Sequence, residues 1–260
     1  MPNASNIEQA ADRLMAVWQG GELCAPPRDL IGDGDLDAAY AVQDLNTARW
    51  QAAGRQIVGR KIGATSKAVQ DMVGVDHPSA GILFDDMQIV SGAKIDPSIL
   101  HQPFVEAEIA FALSGDLDAA DVDLAGVEDA VDYAVAAIEV IGSRIRDWDL
   151  RMTDSICDNA SSSQFVLSDI QKSLEEFDAW GCGMMMQCDG DEVSVGNAAV
   201  CLGGPLNALH WLAIESVRRG NPLKAGDIIM SGAMGPIVKV ETGQVYDVTI
   251  EGLGSVQARF

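Results

Sequence analysis

Cationic residues are scarce in this sequence. Seventeen Lys and Arg stand against 39 Asp and Glu, a net charge of −22 over 260 residues. A chain this acidic offers no basic face to nucleic-acid phosphates or to an anionic membrane, so neither partner is expected. The five cysteines are odd in number and form no CxxC pair. That argues against a disulfide framework or a zinc ribbon and leaves inert thiols as the expectation. His77, His101 and His210 are the only histidines, and no two have metal-ligand spacing. No apolar run approaches membrane-spanning length, and Met1-Pro-Asn-Ala-Ser-Asn-Ile-Glu8 shows no basic region followed by an apolar core. No signal peptide is therefore expected, and the chain should behave as a soluble cytoplasmic protein. GxSxG, Walker A and HExxH are missing. Gly232-Ala-Met-Gly235 and Gly252-Leu-Gly254 precede no helical pattern, which argues against a dinucleotide site. There is no repeat, low-complexity tract or linker.

What is present is a mixed chain with 48% hydrophobic and 22% charged residues, enough for a sizeable core. Ser5 and Glu8 fit a capping box, and Ala11, Leu14, Met15 and Trp18 follow at helical spacing. A second helix is predicted over 36–53, stopped by Gly54. Residues 1–55 thus read as a helical N-terminal part. From Gln56 the texture turns to short strands, giving a β-rich catalytic core over 56–260. Strands are predicted at 57–63, 82–87, 89–90, 103–113, 136–142, 165–167, 183–188 and through the tail from 227. Helices are predicted over 124–134 and 205–219. The fold class is α+β.

The 103–113 strand, Pro-Phe-Val-Glu-Ala-Glu-Ile-Ala-Phe-Ala-Leu, carries Glu106 and Glu108 two residues apart. In a strand that spacing puts both on one face, where two buried carboxylates repel and lose hydration. A hard divalent cation resolves the conflict. Solvated glutamates, or pairing with Arg, is the plainer reading. Glu139 is a third lone carboxylate in an apolar strand. Three oxygen ligands would leave positions for water and a chelating substrate; the plainer alternative pairs Glu139 with an Arg such as Arg144. Arg60, Lys61 and Lys67 cluster in a chain poor in cations, as an anionic substrate would need. Lys61, between glycines in an apolar strand, suits a proton carrier or carboxylate holder, against a snorkelling surface Lys. The polar run 154–163 can bring hydroxyls and N–H groups to an anion.

Together these pieces resemble the 2-keto-4-pentenoate hydratase and 4-oxalocrotonate decarboxylase family of the fumarylacetoacetate hydrolase superfamily. The matching stretches are Val58-Gly-Arg-Lys-Ile-Gly-Ala-Thr-Ser66, Val105-Glu-Ala-Glu-Ile-Ala110, Glu139-Val-Ile-Gly-Ser-Arg-Ile-Arg-Asp-Trp148, Asp158-Asn-Ala-Ser161, Leu202-Gly-Gly-Pro-Leu-Asn207, and Gly226-Asp-Ile-Ile with Glu251-Gly-Leu-Gly-Ser255. The resemblance implies a mixed β-roll core of the fumarylacetoacetase C-terminal type behind the helical part. It implies Mg2+ or Mn2+ on Glu106, Glu108 and Glu139, Lys61 as a catalytic group, and Arg60 and Ser161 at the substrate. It further implies a homo-oligomer, commonly a decamer, and a possible complex with a neighbouring pathway enzyme. The implied reaction is a hydro-lyase step of aromatic meta-cleavage catabolism: water adds to a 2-hydroxypenta-2,4-dienoate to give a 4-hydroxy-2-oxo acid. The alternatives are decarboxylation of 2-oxo-3-hexenedioate, or a weakly active partner subunit of such a decarboxylase. One departure stands out. Relatives often carry Asp and then an aromatic after Pro78, where this chain has Ser79 and Ala80. Asp76 or Asp85 could substitute for the acid, and Ala80 could widen the pocket.

Overall fold

The computed structural model describes residues 4–73 and 75–260. Helices α1 (Ala4–Trp18), α2 (Arg28–Ile31) and α3 (Leu36–Ala52) form the helical N-terminal part. Helix α1 buries Ala10, Ala11, Leu14 and Val17; of the expected stripe Ala11 and Leu14 are buried, while Met15 and Trp18 are half-buried against the second apolar cluster. Ser5 lies inside α1, where its hydroxyl accepts from Gln9 Nε2, and so is not the expected cap. Asp35 caps α3 by accepting from Ala38 N–H. Residues 1–3, on which part of the leader expectation rests, lie outside the described residues.

Strand β1 (Ile57–Gly63) leads through α4 (Lys67–Val73) to β2 (Ser79–Phe84), β3 (Gln88–Val90), β4 (Phe104–Leu113), α5 (Leu124–Asp129), β5 (Val131–Ile141), α6 (Met152–Cys157) and β6 (Ser162–Leu167). There follow β7 (Gly183–Cys188), β8 (Asp191–Asn197), α7 (Pro205–Arg218), β9 (Ile228–Met230), β10 (Val238–Lys239), β11 (Val245–Ile250) and β12 (Gly254–Arg259). One sheet runs β2-β1-β9-β4-β5-β6-β3, with β10 also paired to β4; a second runs β12-β11-β7-β8. This mixed sheet system behind a helical N-terminal part is the α+β architecture expected. Among the described residues no helix is long and apolar enough to cross a membrane.

The centre of the large sheet is the antiparallel β4–β5 pair, in register from Phe104↔Ile141 to Leu113↔Val131. Alternation gives it two faces. Val105, Ala107, Ile109 and Phe111, with Ile138 and Val140, enter the main core beside Leu14 and Val42 of the helices. Glu106 and Glu108 point to the other face. The helix expected over 124–134 ends at Asp129, because Val131, Tyr133 and Ala134 pair with Leu113, Ala112 and Phe111. Apolar positions at 127, 130, 131 and 134 fit both periods, and the long-range pairing decides between them. Likewise the strand expected at 82–87 closes at Phe84 into a 3-10 turn over Asp85–Met87.

Arg144 is wholly buried. It pairs with Asp158, Nε to Oδ1 at 2.6 Å, and not with Glu139. It also donates to Ser163 Oγ at 2.9 Å, and its guanidinium lies 4.3 Å from the centre of the Trp18 ring. Removing one member of such a pair strands a buried charge. Arg144→Met should therefore destabilise the protein by about 3–5 kcal/mol, read as a lower urea midpoint at unchanged slope.

Candidate metal centre and active site

Glu106, Glu108 and Glu139 converge as alternation requires. The first two share a face of β4, and Glu139 on β5 stands directly across from Glu106. One oxygen of each lies within 4.8 Å of the others. Glu108 and Glu139 are 0% exposed, and Glu106 is half-buried. Glu108 Oε2 accepts from Gly232 N–H at 2.8 Å. Among the described residues Glu108 Oε1 and Glu139 Oε1 have no hydrogen-bond partner, and Glu139 Oε2 faces only the Lys61 ammonium. Buried carboxylate oxygens left this way are costly. With Glu106 beside them, the three carboxylates around one point make an all-oxygen donor set that fits a hard divalent cation.

Burial pushes the Glu106 carboxyl up to about 7; Lys61 opposes the shift and Glu139 adds to it. Burial, then the charges of Glu139 and Glu106, raise Glu108 well above the ordinary carboxylate range. These folded-state values lie above the unfolded ones. Their contribution to stability is therefore fully present below about pH 4.3, the unfolded value, and is lost as pH rises through about 7. The metal-free protein should thus lose stability between about pH 5 and 8. Stabilisation by added Mn2+ should grow over the same window, because metal and protons compete for the carboxylates. Melting curves with and without Mn2+ across that range check this; a metal-induced shift independent of pH would contradict it.

Lys61 is 3% exposed and does not snorkel. Its Nζ donates to Ala160 O at 3.0 Å and lies 3.0 Å from Glu139 Oε2. Burial pulls its pKa down, but Glu139, Glu106 and Glu108 together more than offset this, so it ends raised and the ammonium persists. Arg60 does not join it. Alternation on β1 turns Arg60 to the opposite face, towards Asp227 and Asp44, whose charges partly counter the downward pull of burial on the guanidinium. The structure therefore does not bring Arg60, expected at the substrate, to the same face as Lys61.

Ser161 lies in the turn whose Ala160 carbonyl meets Lys61, and the turn packs on two glycines. A Cβ at Gly81 would lie 2.5 Å from Asn159 O and 3.1 Å from Lys61 Cδ. One at Gly63 would lie 3.0 Å from Ser79 Oγ and 3.5 Å from Lys61 Nζ. Ser79 therefore flanks Lys61 on the site face, whereas Ala80 points to the other face beside Ile62 and does not widen the site. Asp76 and Asp85 are exposed, and Asp85 is engaged by Gln56 N–H. Sequence reasoning missed the Gly232 N–H and the Ala160 carbonyl, since backbone groups leave no side-chain signature; Gly63 and Gly81 were the available signal.

Residues 54–260 match the family model described as fumarylacetoacetate (FAA) hydrolase C-terminal. The chain is 51% identical over 98% of its length, and 95% of the relative's, to a TodF product hydratase of Pseudomonas putida. It is 48% identical, over 97% of its length and 94% of the relative's, to a 2-keto-4-pentenoate hydratase of Paraburkholderia xenovorans. This chain belongs to the fumarylacetoacetate hydrolase family, on its 2-keto-4-pentenoate hydratase branch. It is an enzyme of that branch, a hydro-lyase. Among solved structures it is similar to the 4-oxalocrotonate decarboxylase of Pseudomonas putida G7 complexed with magnesium and adipate. The TM-score is 0.96 at 32% identity, covering 100% of this chain and 99% of that one. This chain and the decarboxylase thus share one fold.

Proposed function

We propose that this chain adds water to 2-hydroxypenta-2,4-dienoate, or a substituted relative, to give a 4-hydroxy-2-oxo acid. Glu106, Glu108 and Glu139 hold the divalent cation, Mg2+ or Mn2+. The observation that carries the reading is the convergence of three carboxylates, with Glu108 Oε1 and Glu139 Oε1 unpartnered among the described residues, beside a buried, charged Lys61. The cation, when bound, supplies Lewis-acid stabilisation of negative charge on the substrate's carboxylate and 2-oxygen.

The chain's own residues do the rest. Lys61, anchored by Ala160 O and Glu139, is the proton carrier for ketonisation, in which the 2-hydroxyl loses its proton and C5, the far end of the diene, gains one, leaving a conjugated enone. Water then adds across C3 and C4, its hydroxyl to C4 and its proton to C3. The Ser161 hydroxyl helps hold the substrate carboxylate. Ser79 offers a hydroxyl and no carboxylate next to Lys61, so acid/base work on that side falls to Lys61. The buried setting of Glu108 and Glu139 keeps bulk water from the charged groups, which strengthens each interaction there. The same reading makes the protein a cytoplasmic homo-oligomer of aromatic meta-cleavage catabolism.

Decarboxylation of 2-oxo-3-hexenedioate is the second reading, favoured by the likeness to the decarboxylase structure. Product analysis separates the two. With Mg2+ or Mn2+, the dienoate should disappear and NMR should show the 4-hydroxy-2-oxo acid. CO2 released from the dicarboxylate with no hydration of the dienoate would establish the decarboxylase. Bound metal with turnover of neither would point to a partner subunit.

A further inference from the structure

β2 is an edge strand of the large sheet, so its outer N–H and C=O groups have no neighbouring strand. Side chains take that place. Gln43 Nε2 donates to Ala80 O at 2.9 Å, and Ala80 N–H donates to Tyr40 OH at 3.1 Å. At Ile82 a single side chain does both jobs. Ile82 N–H donates to Asn159 Oδ1 at 2.7 Å, and Asn159 Nδ2 donates back to Ile82 O at 2.9 Å. Both partners are buried.

Asn159 is the first of three consecutive residues in the left-handed region, with φ of 54° at Asn159, 49° at Ala160 and 60° at Ser161. Such conformations cost energy in residues with a Cβ and persist only when the surroundings fix them. One end of the turn is fixed by Asp158, which accepts from Arg144 N–H and Nε. The other is fixed by the paired amide contact of Asn159 with Ile82. The product of the strain is the direction of the Ala160 carbonyl, which accepts from Lys61 Nζ at 3.0 Å.

We propose that Asn159 is a positioning residue. By docking as a one-residue substitute strand on β2, it holds the left-handed 159–161 turn so that the Ala160 carbonyl aims the Lys61 ammonium at the reacting carbon chain. The proposal rests on the reading of Lys61 as the proton carrier. An Asn suits the place twice over: its side-chain amide both accepts from the N–H and donates to the C=O of one residue, Ile82, and it tolerates positive φ.

The test compares Asn159→Gly, which keeps the left-handed tolerance and loses both hydrogen bonds, with Asn46→Ala as a stability control. Asn46 is a buried asparagine bonded to Ala11 O, away from the turn. Asn159→Gly should lower kcat about 10–100-fold, with KM for the dienoate and Mn2+ affinity by EPR within about twofold. A crystal structure of the variant should show Ala160 O beyond hydrogen-bond distance of Lys61 Nζ. Asn46→Ala should lower the melting temperature and leave kcat unchanged. An unchanged kcat in Asn159→Gly, or parallel losses of kcat, KM and Mn2+ affinity, would overturn the proposal. If Asn159→Gly does not fold, Asn159→Asp decides. It keeps the bond from Ile82 N–H and loses the one to Ile82 O, and a kcat within twofold of the native enzyme would equally overturn it. Failure of the Lys61 reading is distinguishable, since Lys61→Met would then turn over normally whatever Asn159 does.

Discussion

Glu106→Gln should lower kcat/KM roughly 10³-fold, the scale of several kcal/mol of transition-state charge stabilisation supplied by a bound cation. The substitution is nearly isosteric, and Glu106 is the half-buried member of the three, so little packing changes. What changes is charge. One of three carboxylates becomes neutral, and Mn2+ affinity should fall with activity. Stability should move the other way. The Glu106 carboxyl is pushed up to about 7 by burial, so above that pH the folded metal-free protein holds an unfavourable charge. Removing it should raise the melting temperature of the metal-free protein at pH 8. A residue conserved in place for packing would give the opposite sign, with stability and activity falling together. Differential scanning calorimetry on chelator-treated protein, beside steady-state kinetics with Mg2+ or Mn2+, reads both.

Lys61→Met should lower kcat by about 10²–10⁴, the range for loss of a positioned acid or base, with a smaller effect on KM. It should also destabilise the metal-free protein by about 3–5 kcal/mol, because Glu106, Glu108 and Glu139 lose the cation that faces them. Adding Mn2+ should restore most of that stability and none of the turnover. This dissociation separates the electrostatic duty of Lys61, which another cation can share, from proton transfer, which it cannot. Full activity in the metal-loaded variant would remove Lys61 from the chemistry and leave it as a structural counter-charge.

Much of the candidate site is legible in the sequence because strand alternation is a strong rule. Glu106 and Glu108 share a face for that reason alone, and an unpaired Glu139 in an apolar run is anomalous wherever it lies. That Glu139 stands opposite Glu106 depends on the β4–β5 register, which no local pattern fixes. The same alternation, applied one residue over, turns Arg60 and Ala80 away from the face that carries their neighbours Lys61 and Ser79. The strand over 131–135 was hidden behind spacing that a helix also satisfies. The backbone contacts, Gly232 N–H to Glu108 and Ala160 O to Lys61, depend on chain geometry at Gly232 and at a left-handed turn, and side-chain chemistry does not announce them. Arg144 illustrates the converse. Its charge was visible, but Asp158, 14 residues away, takes it before Glu139 can.

The central claim is that three glutamates on two neighbouring strands hold the cation on which the substrate is fixed. Anomalous diffraction from crystals grown with Mn2+ tests it most directly. One dominant peak is predicted, at about 2.0–2.3 Å from an oxygen of each of Glu106, Glu108 and Glu139, and absent in Glu106→Gln. A peak confined to another acidic stretch, such as the loop over 116–123, or an empty site between the three carboxylates at saturating Mn2+, would contradict the account.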